Sequence, residues 1–254
     1  MTIRWSRSAE LEAVRRHSGV LYVDDASRVS EFEHLLSAGL RFHARDNPLP
    51  DLSTRARLLA RIELGTFLGR LPTHFTAEQR RSALNRAIDF KLQVATLLIT
   101  DWDLYDQSVF RLSPADSRDL RPGQQEWQKL RYYSLDQATV GKVHIMIERL
   151  ISAIYCAETG SEIESEGARK KARAFRLFLQ SRPHLSFFDQ ILAQLEEFDG
   201  QFRTPEYHKG SVLKKGLFAD PTQASSEISA HLVQFLSSIL GHVVPLYFAG
   251  TDAD

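Results

Sequence analysis

The stretch "GKVHIMIERLISAIY", residues 141–155, decides the fold class. Its apolar residues Val143, Ile147, Leu150 and Ile154 return every three or four positions, the spacing at which an α-helix turns one face toward a core. Working outward, the same period covers most of the chain, while the two-residue alternation of a half-buried strand is almost absent. Helices are expected over 6–17, 26–45, 52–70, 76–105, 124–158, 165–181, 185–199, 205–217 and 222–247. Only "GVLYVDD" at 19–25 invites a strand, and one strand makes no sheet. The expectation is an all-α helical bundle.

Boundary signals support several of these helices. In "PTHFTAEQRRSALNRAIDF", residues 72–90, Thr76 and Gln79 have the capping-box spacing, in which each side chain satisfies the other's backbone donor. The last helix gathers Ile228, Leu232, Phe235, Leu236, Ile239 and Val243 on one stripe. "FRLSPADSRDLRPGQQ", residues 110–125, holds two prolines and a glycine and interrupts the pattern. That seam divides the chain into an N-terminal helical region, 1–118, of no assigned role and a C-terminal five-helix bundle, 119–254, although the two can share one core.

At 254 residues with 43% hydrophobic side chains the chain can fill a core without covalent staples. The formal net charge is zero, which excludes polyanion binding by bulk charge and leaves only local patches. A single cysteine, Cys156, excludes an internal disulfide and a multi-cysteine metal site. No apolar core of signal-peptide length opens the sequence, and no run is read as the roughly 18 apolar residues of a membrane span. A cytoplasmic protein with no membrane partner is expected.

Common catalytic signatures are missing: no phosphate-binding Walker loop, no glycine-rich dinucleotide fingerprint after a strand, no His-Glu-x-x-His and no serine elbow. The pair Asp101 and Asp103 lacks the strand context that would aim both carboxylates at one ion, so neither metal nor cofactor is expected. His144 and Glu148, four apart, flank the stripe of the opening helix as either an acid/base pair or an intrahelical contact at the core's edge. His231 and His242 are read as core histidines. Arg169, Arg173 and Arg176 form a cationic stripe opposite Phe175, Phe178 and Leu179, either a solvated face or a track for a phosphate backbone.

The sharpest local charge asymmetry lies at 203–215, where Arg203, Lys209, Lys214 and Lys215 face one carboxylate, Glu206. Thr204 followed by Pro205 has the form of an N-cap and first helical residue. That reading brings Arg203 and His208 together at a helix N-terminus, where free N–H groups and the positive dipole end favour a phosphate.

Arg203-x4-His208, after three helices and before a long final one, resembles the R-x4-6-H motif of the HEPN superfamily (higher eukaryotes and prokaryotes nucleotide-binding). The helix order after the seam is similar to that family's small bundle, and "RTPEYHKGSVLKK" to stretches of bacterial HEPN-like proteins. The resemblance implies a metal-independent endoribonuclease acting as a homodimer, with His208 as acid/base and Arg203 holding the phosphate. RNA or nucleotide would be the partner, with Lys209, Lys214, Lys215, Arg169, Arg173 and Arg176 as phosphate contacts. Active members usually carry Asn, Asp or His directly after the arginine, where this chain has Thr204. The alternative is therefore a non-catalytic nucleotide-binding, RNA-binding or protein-interaction module.

Overall fold

A computed structural model describes residues 54–109, 123–163, 168–204, 213–215 and 221–249, together with helical positions between 29 and 38. The described residues are all-α, without strands. In chain order the helices are α1 (Thr54–Arg61), α2 (Leu64–Arg70), α3 (Ala77–Val109) and α4 (Gln124–Thr159). They are followed by α5 (Ala168–Leu179), α6 (Phe187–Phe198), α7 (Pro221–Ser238) and α8 (Val244–Tyr247). The expected helix at 6–17, the strand at 19–25, the seam at 110–122 and most of the helix at 205–217 lie outside the described residues, as do the side chains of Asp101 and Asp103.

The centre is an antiparallel hairpin of α3 and α4. Its register is pinned along its length by polar contacts. Arg86 Nη2 meets Glu162 Oε2 at 2.6 Å near the start of α3, Arg149 lies 3.8 Å from Asp89, and Lys142 Nζ donates to the Thr96 carbonyl at 3.2 Å. Val143, Ile147, Leu150 and Ile154, the stripe that suggested the fold, are buried to 1% or less of their surface. Residues on both sides of the seam, such as Phe90 and Ile147, belong to one contiguous apolar core.

The capping box forms as read. Gln79 N–H donates to Thr76 Oγ1 at 3.2 Å, and Thr76 N–H to Gln79 Oε1 at 2.9 Å. At the other end of the hairpin, α4 stops at Gly160, whose φ of +67° no Cβ-bearing residue adopts cheaply.

Three elements depart from the sequence expectation, each for a local reason. The helix expected at 52–70 breaks at Glu63, which is extended. The break turns the Ile62 carbonyl toward Lys91 Nζ at 2.6 Å and offers Leu64 N–H to Glu33 Oε1 at 3.1 Å, so the Lys91–Glu33 ion pair replaces lost helix bonds. The final helix is interrupted by a π turn, Ile239–Val243, in which Val244 N–H reaches back five residues to the Ile239 carbonyl. Pro245 follows at once; it has no N–H, and its ring crowds the carbonyl four residues back, so the wider turn relieves the conflict. Likewise α6 does not end at 199 but runs on as a π turn, Asp199–Arg203.

Ser226–Tyr247 is long and apolar enough to cross a membrane by length and composition, which amends the reading that no stretch is. Its Ile228, Leu232, Phe235, Leu236, Ile239 and Val243 are buried among the other helices, as in a core helix. At its end the Arg70 guanidinium donates to the carbonyls of Pro245, Leu246 and Ala249, capping the last described turn, and Phe248 stacks on Phe67 at 5.0 Å. The two histidines of this segment are less interior than expected. His231 is half-buried edge-on to Phe202, and His242 is exposed, stacked on Phe187.

Candidate functional site

Three helices meet in a cleft of about 560 Å³. The outer flank of α4 contributes His144 and Glu148, one turn apart, because the inner face is committed to the core through Val143 and Ile147. From α5, whose Phe175 and Leu179 are buried, Lys171 one turn before Phe175 and Arg173 and Arg176 farther round the helix reach the cleft. The end of α6 and its π turn supply Glu196, Asp199, Gly200 and Thr204, while Leu195 and Phe202 anchor that segment to the core.

The charges are arranged in pairs around one deeper group. Lys171 Nζ donates to Glu148 Oε1 at 2.6 Å. Burial alone would raise the Glu148 pKa, but the hydrogen bond and charge of Lys171 outweigh it and hold the carboxyl below its ordinary range. Arg176 meets Glu196 at 2.8 Å at the outer edge. Among the described residues no ion pair or hydrogen bond engages Arg173, which is exposed.

At the inner wall His144 Nδ1 lies 3.0 Å from Asp199 Oδ2, and Arg203 Nη1 lies 3.4 Å from that same oxygen and 3.4 Å from the imidazole. His144 is only 8% exposed. Its Nε2 and the second Asp199 oxygen, Oδ1, are both buried without a hydrogen-bond partner.

The π turn explains why Asp199 and Arg203 converge. Closing the turn from residue i to i+5 sets these two side chains nearly one above the other, and both then face α4. Thr204 is helical, with φ −64° and ψ −45°, and its N–H is bonded to the Asp199 carbonyl. It does not have the extended conformation of an N-cap, so the reading of Thr204 as a helix start is corrected: Arg203 lies at the trailing end of α6.

Of the residues singled out from sequence, His144, Glu148, Arg173 and Arg176 line the cleft, and Arg203 lies beside it against His144 and Asp199. Only the backbone of Arg169 is described, and it is helical. Lys214 and Lys215 are exposed on a helical turn, and His208 and Lys209 lie outside the described residues. Sequence reasoning weighed His144 and Glu148 only against each other and missed Lys171, Glu196 and Asp199. The available signal was the i, i+4 spacing of Asp199 and Arg203, which becomes visible once α6 is extended past residue 199.

Among the described residues no cluster of three or more His, Cys, Asp or Glu side chains could hold a metal ion. No protein-family model, curated protein or solved structure matches this chain. The chemistry of the cleft is therefore read from its own groups: cations suited to a phosphate, and a carboxylate-bound imidazole beside them.

Proposed function

We propose that this chain is a HEPN-like helical protein that binds RNA or a nucleotide by its phosphate at Arg203 and cleaves RNA without a metal. The observation that carries the reading is the half-buried Arg203 guanidinium beside a cleft walled by Lys171, Arg173 and Arg176 in a protein of zero net charge. The carboxylates in the cleft do not exclude an anion. A partly exposed pair such as Arg176–Glu196 is worth only about 0.2–1 kcal/mol, so exchanging its carboxylate for a phosphate costs little. A guanidinium also binds phosphate in a bidentate fork, which favours the exchange.

In this reading Arg203 stabilises charge developing on the phosphoryl oxygens, and His208 carries the acid/base role that the family resemblance assigns to it. Two subunits would bring their motifs together in a homodimer, which sedimentation equilibrium measures directly.

The test is binding and cleavage of a labelled single-stranded RNA in EDTA. Arg203→Ala is expected to weaken binding and to lower the salt slope of log K by about 0.7, the contribution of one phosphate contact on a single strand. Cleavage by wild type, abolished in Arg203→Ala and His208→Ala, supports the nuclease. Binding without cleavage selects the non-catalytic module that Thr204 raises, and absence of both overturns the reading.

A further inference from the structure

The inner wall of the cleft holds more than a phosphate site needs. A neutral imidazole has one N–H and one lone pair, and the carboxylate 3.0 Å from Nδ1 keeps the proton there. Nε2 then presents a lone pair. Asp199 Oδ1, an acceptor as well, is equally without a partner. Two buried acceptors on the two members of one His–Asp pair are a shortage of donors, which folded proteins seldom leave unfilled. A strut tying α4 to the end of α6 would require only the Nδ1 contact and gives no reason for either free acceptor.

The missing ligand group is therefore a hydroxyl or amine, and it must lie close to the anion that Arg203 favours. Arg203 Nη1 is 3.4 Å from Nδ1 of the same ring that carries Nε2, so an anion on the guanidinium and a donor on Nε2 are about a ring's width apart and lie within one nucleotide of each other. A ribose 2′-hydroxyl next to its own 3′-phosphate has this pairing of donor and anion; a deoxyribose does not.

We infer that His144 Nε2 accepts the 2′-hydroxyl of a bound ribose 3′-phosphate and is a catalytic base of this cleft, with Asp199 as the positioning residue that fixes its tautomer. The inference rests on the phosphate reading above and adds a group that the Arg-x4-His spacing does not contain. In the reaction the 2′-proton passes to Nε2, the 2′-oxygen bonds to phosphorus, and the bond from phosphorus to the 5′-oxygen breaks. The leaving 5′-oxygen takes its proton from His208, the acid/base group of the reading above, and Nε2 gives the proton it holds to solvent, from which His208 regains one. The products are a 2′,3′-cyclic phosphate and a 5′-hydroxyl, with no water or oxidant consumed.

The experiment is equilibrium binding of adenosine 3′-monophosphate, 2′-deoxyadenosine 3′-monophosphate and inorganic phosphate to the full chain, beside nitrogen-15 spectra of the histidine rings. Wild type should bind the ribonucleotide about tenfold more tightly than the deoxynucleotide, the worth of one good hydrogen bond. His144 should carry its proton on Nδ1. Asp199→Asn, which offers Nδ1 a donor and moves the proton to Nε2, should remove the discrimination. His144→Asn, which keeps a donor toward Asp199 and lacks Nε2, should do the same, whereas Arg203→Ala should weaken all three ligands. Equal binding of the ribo and deoxy forms by wild type overturns the inference and leaves the phosphate site standing. Failure of all three to bind overturns both. The wild-type comparison needs no variant to fold.

Discussion

Two π turns, Asp199–Arg203 and Ile239–Val243, share a backbone device and differ in what they carry. Each ends two residues before a proline in the sequence, and in each the closing N–H reaches back five residues. The second aims Ile239 and Val243 into the core, both 0% exposed, and leaves the last turn to be capped by Arg70. The first places only Phe202 in the core and turns Asp199 and Arg203 outward onto His144. The same local distortion thus serves packing at one end of the bundle and polar convergence at the other. Wide turns persist where the surroundings outweigh the helix bonds they lose, and here the surroundings are apolar burial in one case and a charged cleft in the other.

The comparison breaks most clearly in stability. Ile239→Ala removes a fully buried side chain where neighbouring helices cannot collapse freely, and should cost about 2–5 kcal/mol in urea unfolding. Arg203→Ala removes a 35%-exposed side chain from a weak pair and should cost no more than about 1 kcal/mol. Equal losses would mean that the turn at Arg203 is a packing element after all.

How far the sequence announced each region follows from the same contrast. The stripe from Val143 to Ile154 and the Thr76–Gln79 box were legible because a helix face and a cap are set by residues three or four apart. The cleft was not, because His144 and Arg203 are separated by 59 positions and no period links them. Thr204–Pro205 was also ambiguous on physical grounds. Proline suits the first position of a new helix and equally ends an old one, and threonine serves as N-cap or as the last residue before the stop. Reading it as a start separated Arg203 from Asp199, and the pair that gives the site its shape was lost.

A smaller effect should separate the two turns in acid. Although burial opposes it, Lys171 holds the Glu148 carboxyl below its ordinary pKa, so in acid the unfolded chain binds the proton more readily than the folded one. The stability of this contact is complete above the ordinary carboxylate value and is lost as pH falls through the lower folded value. Between about pH 5 and pH 3, then, the cleft should loosen before the core does. Amide exchange, corrected for its intrinsic pH dependence, should accelerate at 199–204 while 239–244 stays protected, and Glu148→Gln should remove most of the difference. Uniform acceleration at both turns would show that the cleft charges do not act locally.

The smallest expected signal comes from Cys156, which shares α4 with His144 but sits at 1% exposure on the core side. Burial, reinforced by Glu162 and opposed by Arg86 and a Ser82 hydrogen bond, pushes its thiol up to about 11. Both the thiolate and access to it are therefore scarce in the native state. At pH 8 iodoacetamide should leave wild type unmodified over the time in which the urea-unfolded chain is fully alkylated. Because labelling then reports the open population, Ile239→Ala should speed it roughly tenfold for each 1.4 kcal/mol lost, and Arg203→Ala should barely change it. If Arg203→Ala exposed Cys156 as readily as Ile239→Ala, the polar turn would be holding α4 in place rather than offering a side chain to a ligand, and the division between the two turns would fail at the residue where it is easiest to measure.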